Sequence, residues 1–198
     1  MRTITKQVEL YKFDELSEQA KENAVYELSQ GNSYLIEEDI NCYLSECLNL
    51  DYSNLEYSLS YSQGDGVCFI LNALKVEHIE NSPYFKGYKK SHLKYFCENF
   101  PNIVTFTRVN FHYSHENTYS VEFNEFNFIE YFTNNHRVTL FTEKLHDLVN
   151  DFADYYKDLQ MSIYDKAVGF ADYYSSYEYI NEFCEINGYE FTIDGKLN

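Results

Sequence analysis

The segment Ser60-Tyr61-Ser62-Gln63-Gly64-Asp65-Gly66-Val67-Cys68-Phe69 constrains the fold more than any other. On its N-terminal side Leu55, Tyr57, Leu59 and Tyr61 alternate with Glu56, Ser58 and Ser60, the period of a half-buried strand. Beyond it Val67-Cys68-Phe69-Ile70-Leu71 is apolar at every position, which predicts a strand covered on both faces inside the sheet. Gly64, Asp65 and Gly66 form the structural turn between them, and the sequence assigns the glycines the positive φ that a short hairpin loop demands.

A chain of 198 residues can bury one sizeable core, and the expectation is a single α+β domain over 1–198 with a helical C-terminal part over 141–187. The core should be aromatic, since there are 21 Tyr and 16 Phe but no Trp. The net charge of −17, from 15 basic against 32 acidic residues, argues against direct nucleic-acid binding, which needs clustered Lys and Arg to neutralise phosphates. It argues equally against an anionic membrane surface and steers the chain toward basic protein surfaces; plain solubility is the competing explanation. Residues 1–6 contain no apolar h-region, and no run of about 18 apolar residues occurs, so neither secretion nor membrane spanning is expected. Cys42, Cys47, Cys68, Cys97 and Cys184 are odd in number, scattered and without a C-x-x-C pair, which predicts reduced core thiols in a cytoplasm.

In chain order, Thr3 to Phe13 reads as a first strand. Asp14 or Ser17 caps a helix whose Leu16, Ala20, Ala24 and Leu28 share a face until Gly31. A second helix over about 33–48 carries Ile36, Ile40, Tyr43, Leu44 and Cys47 inward. Asn81-Ser82-Pro83 predicts a turn and 91–100 a short helix, with Lys86, Lys89, Lys90 and Lys94 placed to pair with the acidic helix that follows. Two strands are expected between Ile103 and Phe128 with a turn at 115–118, Phe126 and Phe128 switching face, and a short strand at Val138 to Phe141. Thr142 then caps a long helix in which Leu145, Val149, Phe152, Tyr156, Leu159 and Ile163 recur at intervals of 4 and 3. Ser175 and Glu178 have capping-box spacing for a further helix ending near Gly188, before a last strand at 189–193. The fold class is therefore an antiparallel sheet with N-terminal helices packed on it and a long acidic amphipathic C-terminal helix or helix pair.

Opposite the apolar stripe lie Asp147, Asp151, Asp154, Asp158, Asp165 and Asp172, within a stretch, 141–198, that holds 12 acidic and 4 basic residues. The first four span roughly 16 Å of helix, so they match the way phosphates present charge along a groove and are the candidate partner-binding residues. A solvated helix face has the same pattern. His112, His115 and Glu116 invite a metal reading, but on a strand the two histidines point to opposite faces and no third ligand is specified. Asp65 repels an anion, and a strand rather than a helix follows the glycines, so no phosphate loop is expected. Neither Gly-x-Ser-x-Gly nor His-Glu-x-x-His occurs, and no catalytic residue, metal ligand or cofactor is assigned.

Three segments carry a resemblance: Phe13-Asp14-Glu15-Leu16-Ser17 with Ala20, Lys21 and Ala24; Ser62-Gln63-Gly64-Asp65-Gly66; and 187–196, Asn187-Gly188-Tyr189-Glu190-Phe191-Thr192-Ile193-Asp194-Gly195-Lys196. In order and rough spacing they resemble a family of small proteins encoded by phages and prophages. Residues 76–132 carry none of it, and the lack of Trp departs from relatives that are Trp-rich in the second helix. The resemblance implies a bacterial cytoplasm and the accessory genes with which phages counter host defences. The leading expectation is a non-enzymatic inhibitor whose acidic helix binds a basic, nucleic-acid-binding surface of a host protein. Two alternatives stay open. One is a ligand- or metal-binding protein or enzyme with a pocket near the Gly64 turn, using Asp65 and His112 or His115; the other is a homo-oligomeric scaffold joined through tyrosines.

Overall fold

The computed structural model describes residues 7–60, 62–124 and 136–198, with backbone alone over 136–141. Its elements are α1 (Glu18–Ser29), α2 (Ser33–Cys42), β1 (Asp51–Ser58), β2 (Gly66–Ala73), α3 (Val76–Ile79), α4 (Lys90–Glu98), α5 (Phe100–Ile103), β3 (Val104–Arg108), β4 (Tyr119–Phe123), α6 (His136–Tyr174) and α7 (Tyr177–Asn187). The α+β class holds, with the strands divided between two small antiparallel sheets, β1-β2 and β3-β4, and helices packed on them. The chain forms two compact units: a central one, Cys42–Lys166, and a terminal one, Met1–Asn41 with Ala167–Asn198.

The core of the central unit is built on α6. Leu145, Leu148, Val149, Phe152, Tyr156 and Ile163 fall at the i, i+3, i+4 and i+7 spacings of one helix face, and all are buried. Phe152 meets Phe96 and Phe100, and Tyr156 meets Phe69 and Phe106, with ring centroids between 5.0 and 5.9 Å and steep interplanar angles. Such pairs contribute about 0.5–1.5 kcal/mol each beyond the area they bury. The Tyr156 hydroxyl donates to the Phe69 carbonyl, which satisfies the one polar end of this side chain. On β2, Val67, Cys68, Phe69 and Leu71 are buried as the apolar run predicts. Yet β1 is its only ladder partner among the described strands, so its cover comes from α5 and from Tyr156 rather than from a second strand.

Strand β1 does not keep the alternation that its sequence suggests. Asn54, at φ 53°, sits where the pairing jumps from Ser53–Ile70 to Glu56–Cys68, and the one extra residue breaks the inside-outside period. Tyr61 lies outside the described residues. Strands β3 and β4 pair in regular register from Val104–Phe123 to Arg108–Tyr119. The Arg108 guanidinium grips both carboxylate oxygens of Glu56, with Nη2···Oε2 at 2.8 Å, and so ties β3 to β1.

Helix α6 begins at His136, which corrects two expectations. Val138 to Phe141 are helical rather than a short strand, and Thr142 is internal rather than a cap. Val138 and Thr139 favour strands by propensity, but this weak preference yields to the helix that continues from them. Phe126 and Phe128 lie outside the described residues. The second helix is shorter than its pattern: α2 ends at Cys42, and 43–47 form one wider turn in which the Leu48 amide donates to the Tyr43 carbonyl five residues back, at 3.0 Å. Cys47, at the end of that turn, and Cys42, just before it, are exposed rather than core thiols.

In the terminal unit Ser17 caps α1, its Oγ accepting from the Ala20 amide at 3.3 Å, while Asp14 sits in the preceding 3-10 turn at 13–15. Phe13, Leu16, Ala20 and Ala24 form one core cluster with Ile180, Cys184 and Phe191. The two terminal strands predicted from sequence shrink to single bridges, Tyr11–Phe191 and Phe191–Leu197; residues 3–6 of the first lie outside the described residues. Gly195, at φ +81°, turns the arm so close to α1 that a Cβ there would overlap the Ala20 carbonyl. The cap of α7 is Ser176 rather than Ser175, its Oγ accepting from the Tyr179 amide at 3.2 Å; Ser175 Oγ instead donates back to the Ala171 carbonyl at 2.8 Å. Gly188, at φ +65°, ends α7 in the left-handed conformation.

Candidate functional site

The central unit holds five of the six candidate aspartates, and Asp172 belongs to the terminal unit. At 3.6 residues per turn, Asp147, Asp151, Asp154, Asp158 and Asp165 fall within an arc of about 60° on α6. The helix does place them on one face, but the fold uses two of them. Tyr88 Oη donates to Asp151 Oδ2 at 2.6 Å, and Tyr84 Oη donates to Asp158. Burial, then the Asp151 carboxylate, pushes the Tyr88 hydroxyl well above its ordinary range, and the hydrogen bond to Asp158 raises that of Tyr84. Asp147, Asp154 and Asp165 are exposed, and no described residue hydrogen-bonds or ion-pairs with them.

Of the four lysines expected to meet this face, two are paired elsewhere, and among the described residues no ion pair joins Lys86 or Lys89 to α6. Lys90 pairs with Glu80 at 2.9 Å and Lys94 with Glu98 at 3.6 Å, both on the lysines' own side of the chain. Tyrosines rather than lysines therefore reach α6 from the 83–88 segment. The signal was present in sequence as Tyr84, Phe85 and Tyr88, in which Phe85 is buried and the flanking tyrosines reach outward. In the terminal unit Tyr174 Oη likewise donates to Asp39 Oδ2 at 2.7 Å.

The turn at Gly64, Asp65 and Gly66 is present, but its glycines are there for a different reason from the expected one. Positive φ occurs at Gly188 and Gly195, and not at Gly64 or Gly66. A Cβ on Gly64 would overlap the Tyr113 ring, and one on Gly66 would stand 2.5 Å from His115 Cα. The β3-β4 loop thus closes directly onto the turn. Asp65 is the hub of the turn: its carboxylate accepts from Ser58 Oγ at 2.8 Å, from Ser60 Oγ at 2.8 Å and from the Ser62 amide at 2.7 Å. Burial alone would raise this carboxyl, but the hydrogen bonds from Ser58, Ser62 and Ser60 outweigh it and hold the group far below the usual range. With every oxygen turned to a local donor, Asp65 is committed to structure.

His112 and His115 lie in the loop that leads to β4. His115 Nδ1 accepts from the Asn117 amide at 3.0 Å and its ring stacks on Tyr113, while the His112 amide donates to Asn110 Oδ1 at 3.0 Å. Among the described residues no three His, Cys, Asp or Glu side chains converge as a metal site. Burial pushes the Cys68 and Cys184 thiols up to about 11 and that of Cys97 up to about 12, which keeps them as thiols at neutral pH. The same loop exposes Val109, Phe111 and Tyr113, a cluster that alternation did not single out. Among the described residues no helix is long and apolar enough to cross a membrane. Comparison with protein-family models, curated proteins and solved structures finds no match for this chain.

Proposed function

We propose that this chain is a non-enzymatic accessory protein of the phage or prophage kind, acting in a bacterial cytoplasm by binding a basic surface of a host protein, one that normally holds nucleic acid. The observation that carries the reading is the row of exposed, unengaged carboxylates Asp147, Asp154 and Asp165 on one face of α6. Asp151 and Asp158 add charge to that face while their tyrosine partners hold them in place. A helix fixed along its opposite side by Phe152 and Tyr156 presents these charges with little freedom left to lose, which favours binding. The net charge of −17 adds long-range steering toward a cationic partner.

The test is affinity capture from a bacterial lysate at two salt concentrations, with the wild type and an Asp147→Asn, Asp154→Asn, Asp165→Asn variant. The expected result is a basic protein that is held at low salt, released at high salt and lost with the variant. Capture of the same protein at full strength by the variant removes α6 as the binding face.

A further inference from the structure

The terminal unit carries an aromatic surface that its core uses only in part, Tyr179 and Tyr189 packing against it from one side. Where α6 passes into α7, ring contacts run from Tyr173 to Tyr179 (5.3 Å), from Tyr179 to Phe183 (6.0 Å, stacked) and from Phe183 to Tyr189 (5.7 Å). Tyr173 is 54% and Tyr177 41% exposed, values high for side chains of this size in a packed unit. Tyr189, at the end of the ladder, lines a cavity of about 500 Å³, and Phe13, buried in the core, reaches the same cavity and touches exposed Tyr177 at 5.9 Å. The same cavity is bordered by Asp14, Glu185 and Glu190 against one cation, Lys12. Its surroundings are more acidic still: the terminal unit has 15 acidic and 5 basic residues, a net of −10.

Aromatic faces beside carboxylates are the pairing that a guanidinium or ammonium group uses, with the ring faces attracting the cation and the carboxylates accepting its N–H groups. A free amine would need the cavity alone. The ladder extends the aromatic surface beyond it over α7 and the end of α6, and Asp172, Glu178 and Glu182 lie exposed along the same two helices. We propose that the terminal unit docks an arginine- or lysine-bearing segment of a partner polypeptide, one cationic side chain entering the cavity beside Tyr189 and the adjoining residues lying along the tyrosine ladder. This surface is distinct from the aspartates of the central unit, and the proposal stands without them.

The experiment is fluorescence polarisation on the full chain with a labelled octapeptide of alternating glycine and arginine. Its counterpart with citrulline in place of arginine, and agmatine as a competitor, complete the set. The arginine peptide should bind at least about tenfold more tightly than the citrulline peptide. Glu185→Gln with Glu190→Gln, both solvent-exposed and isosteric, should weaken it about fivefold, whereas Asp147→Asn with Asp154→Asn should leave it within about twofold. Equal binding of the two peptides, or loss through the α6 pair instead of the Glu185 and Glu190 pair, overturns the proposal. Agmatine competing as strongly as the peptide also overturns it, because the occupant is then a small cation.

Discussion

In the central unit the largest fully buried side chains are aromatic, with Phe69, Phe96, Phe100, Phe152 and Tyr156 in mutual ring contact. In the terminal unit α1 meets its neighbours through Ala20 and Ala24, and Gly195 brings the C-terminal arm against the backbone of α1. Both units bring glycines close to other segments, Gly64 and Gly66 in the central one and Gly195 in the terminal one, but the central unit adds the larger set of buried, interlocked rings, against Phe13 and Phe191 in the terminal unit. Charge divides the opposite way. The central unit carries −7 over 125 residues and the terminal unit −10 over 73, so the smaller core bears the denser charge. Self-repulsion weighs most where there is least burial to offset it, which makes a cationic partner a source of stability for the terminal unit.

Four measurements test this contrast. The largest effect belongs to Phe152→Ala, which removes the ring shared by Phe96, Phe100 and Tyr156; it should destabilise the central unit by about 3–5 kcal/mol in denaturant titration. Next come two glycine substitutions. Gly195→Ala combines a left-handed φ with overlap on the Ala20 carbonyl and should cost about 2 kcal/mol or more, seen as lost hydrogen-exchange protection at Tyr11 and Phe191. Gly66→Ala has no φ strain and only His115 and Ser114 to displace, so its cost should be smaller, about 1–2 kcal/mol, and confined to the central unit. If both cost the same, backbone approach is no more important in one unit than in the other.

Ser176→Ala should cost about 1 kcal/mol by removing the cap of α7, while Ser175→Ala should change stability by only a few tenths. The reverse ranking would move the break between α6 and α7 by one residue. The smallest effect appears only in acid. Asp65 and Glu56 are both held below their unfolded values, Glu56 chiefly by its hydrogen bond to Arg108, so both favour the folded state above the ordinary carboxylate range. That contribution is lost as pH falls through their folded values, so denaturant midpoints of the central unit should drop below pH about 4. Asp65→Asn should flatten the slope; a slope equal to that of the wild type would take Asp65 out of the balance.

How much was legible in sequence depended on the range of the interactions. The cap at Ser17, the small-residue face of α1 and the apolar stripe of α6 are local patterns, and the structure keeps them. The turn at Gly64 was legible as a turn, but the reason for its glycines was not. Tyr113 and His115 approach from some fifty residues away, and no local pattern encodes that. The terminal strands failed for a related reason: Tyr11, Phe191 and Leu197 find one another, yet among the described residues their neighbours form no ladder that would extend the bridges. For the aspartate row, periodicity gave the shared face correctly. It could not show that Tyr84 and Tyr88 would claim two of its members, since a phenol reaching a carboxylate across 63 or 74 residues leaves no periodic mark.

The bridge between Tyr11 and Phe191 also sets an order in time. Residues 42–166 are contiguous, so everything their unit needs emerges from the ribosome as one stretch, whereas 1–41 must wait for 167–198. At synthesis rates of about 5–20 residues per second, the 125 intervening residues impose a delay of roughly 6–25 s. During that time α1, with Ala20 and Ala24 uncovered, has no α7 to meet. A face on which Ala20 and Ala24 stand beside Val25 and Leu28, in a helix that also carries Glu18, Glu22 and Glu27, holds little large apolar surface for other chains to adhere to in the interval, and the composition of α1 suits a segment that has to wait for its partner.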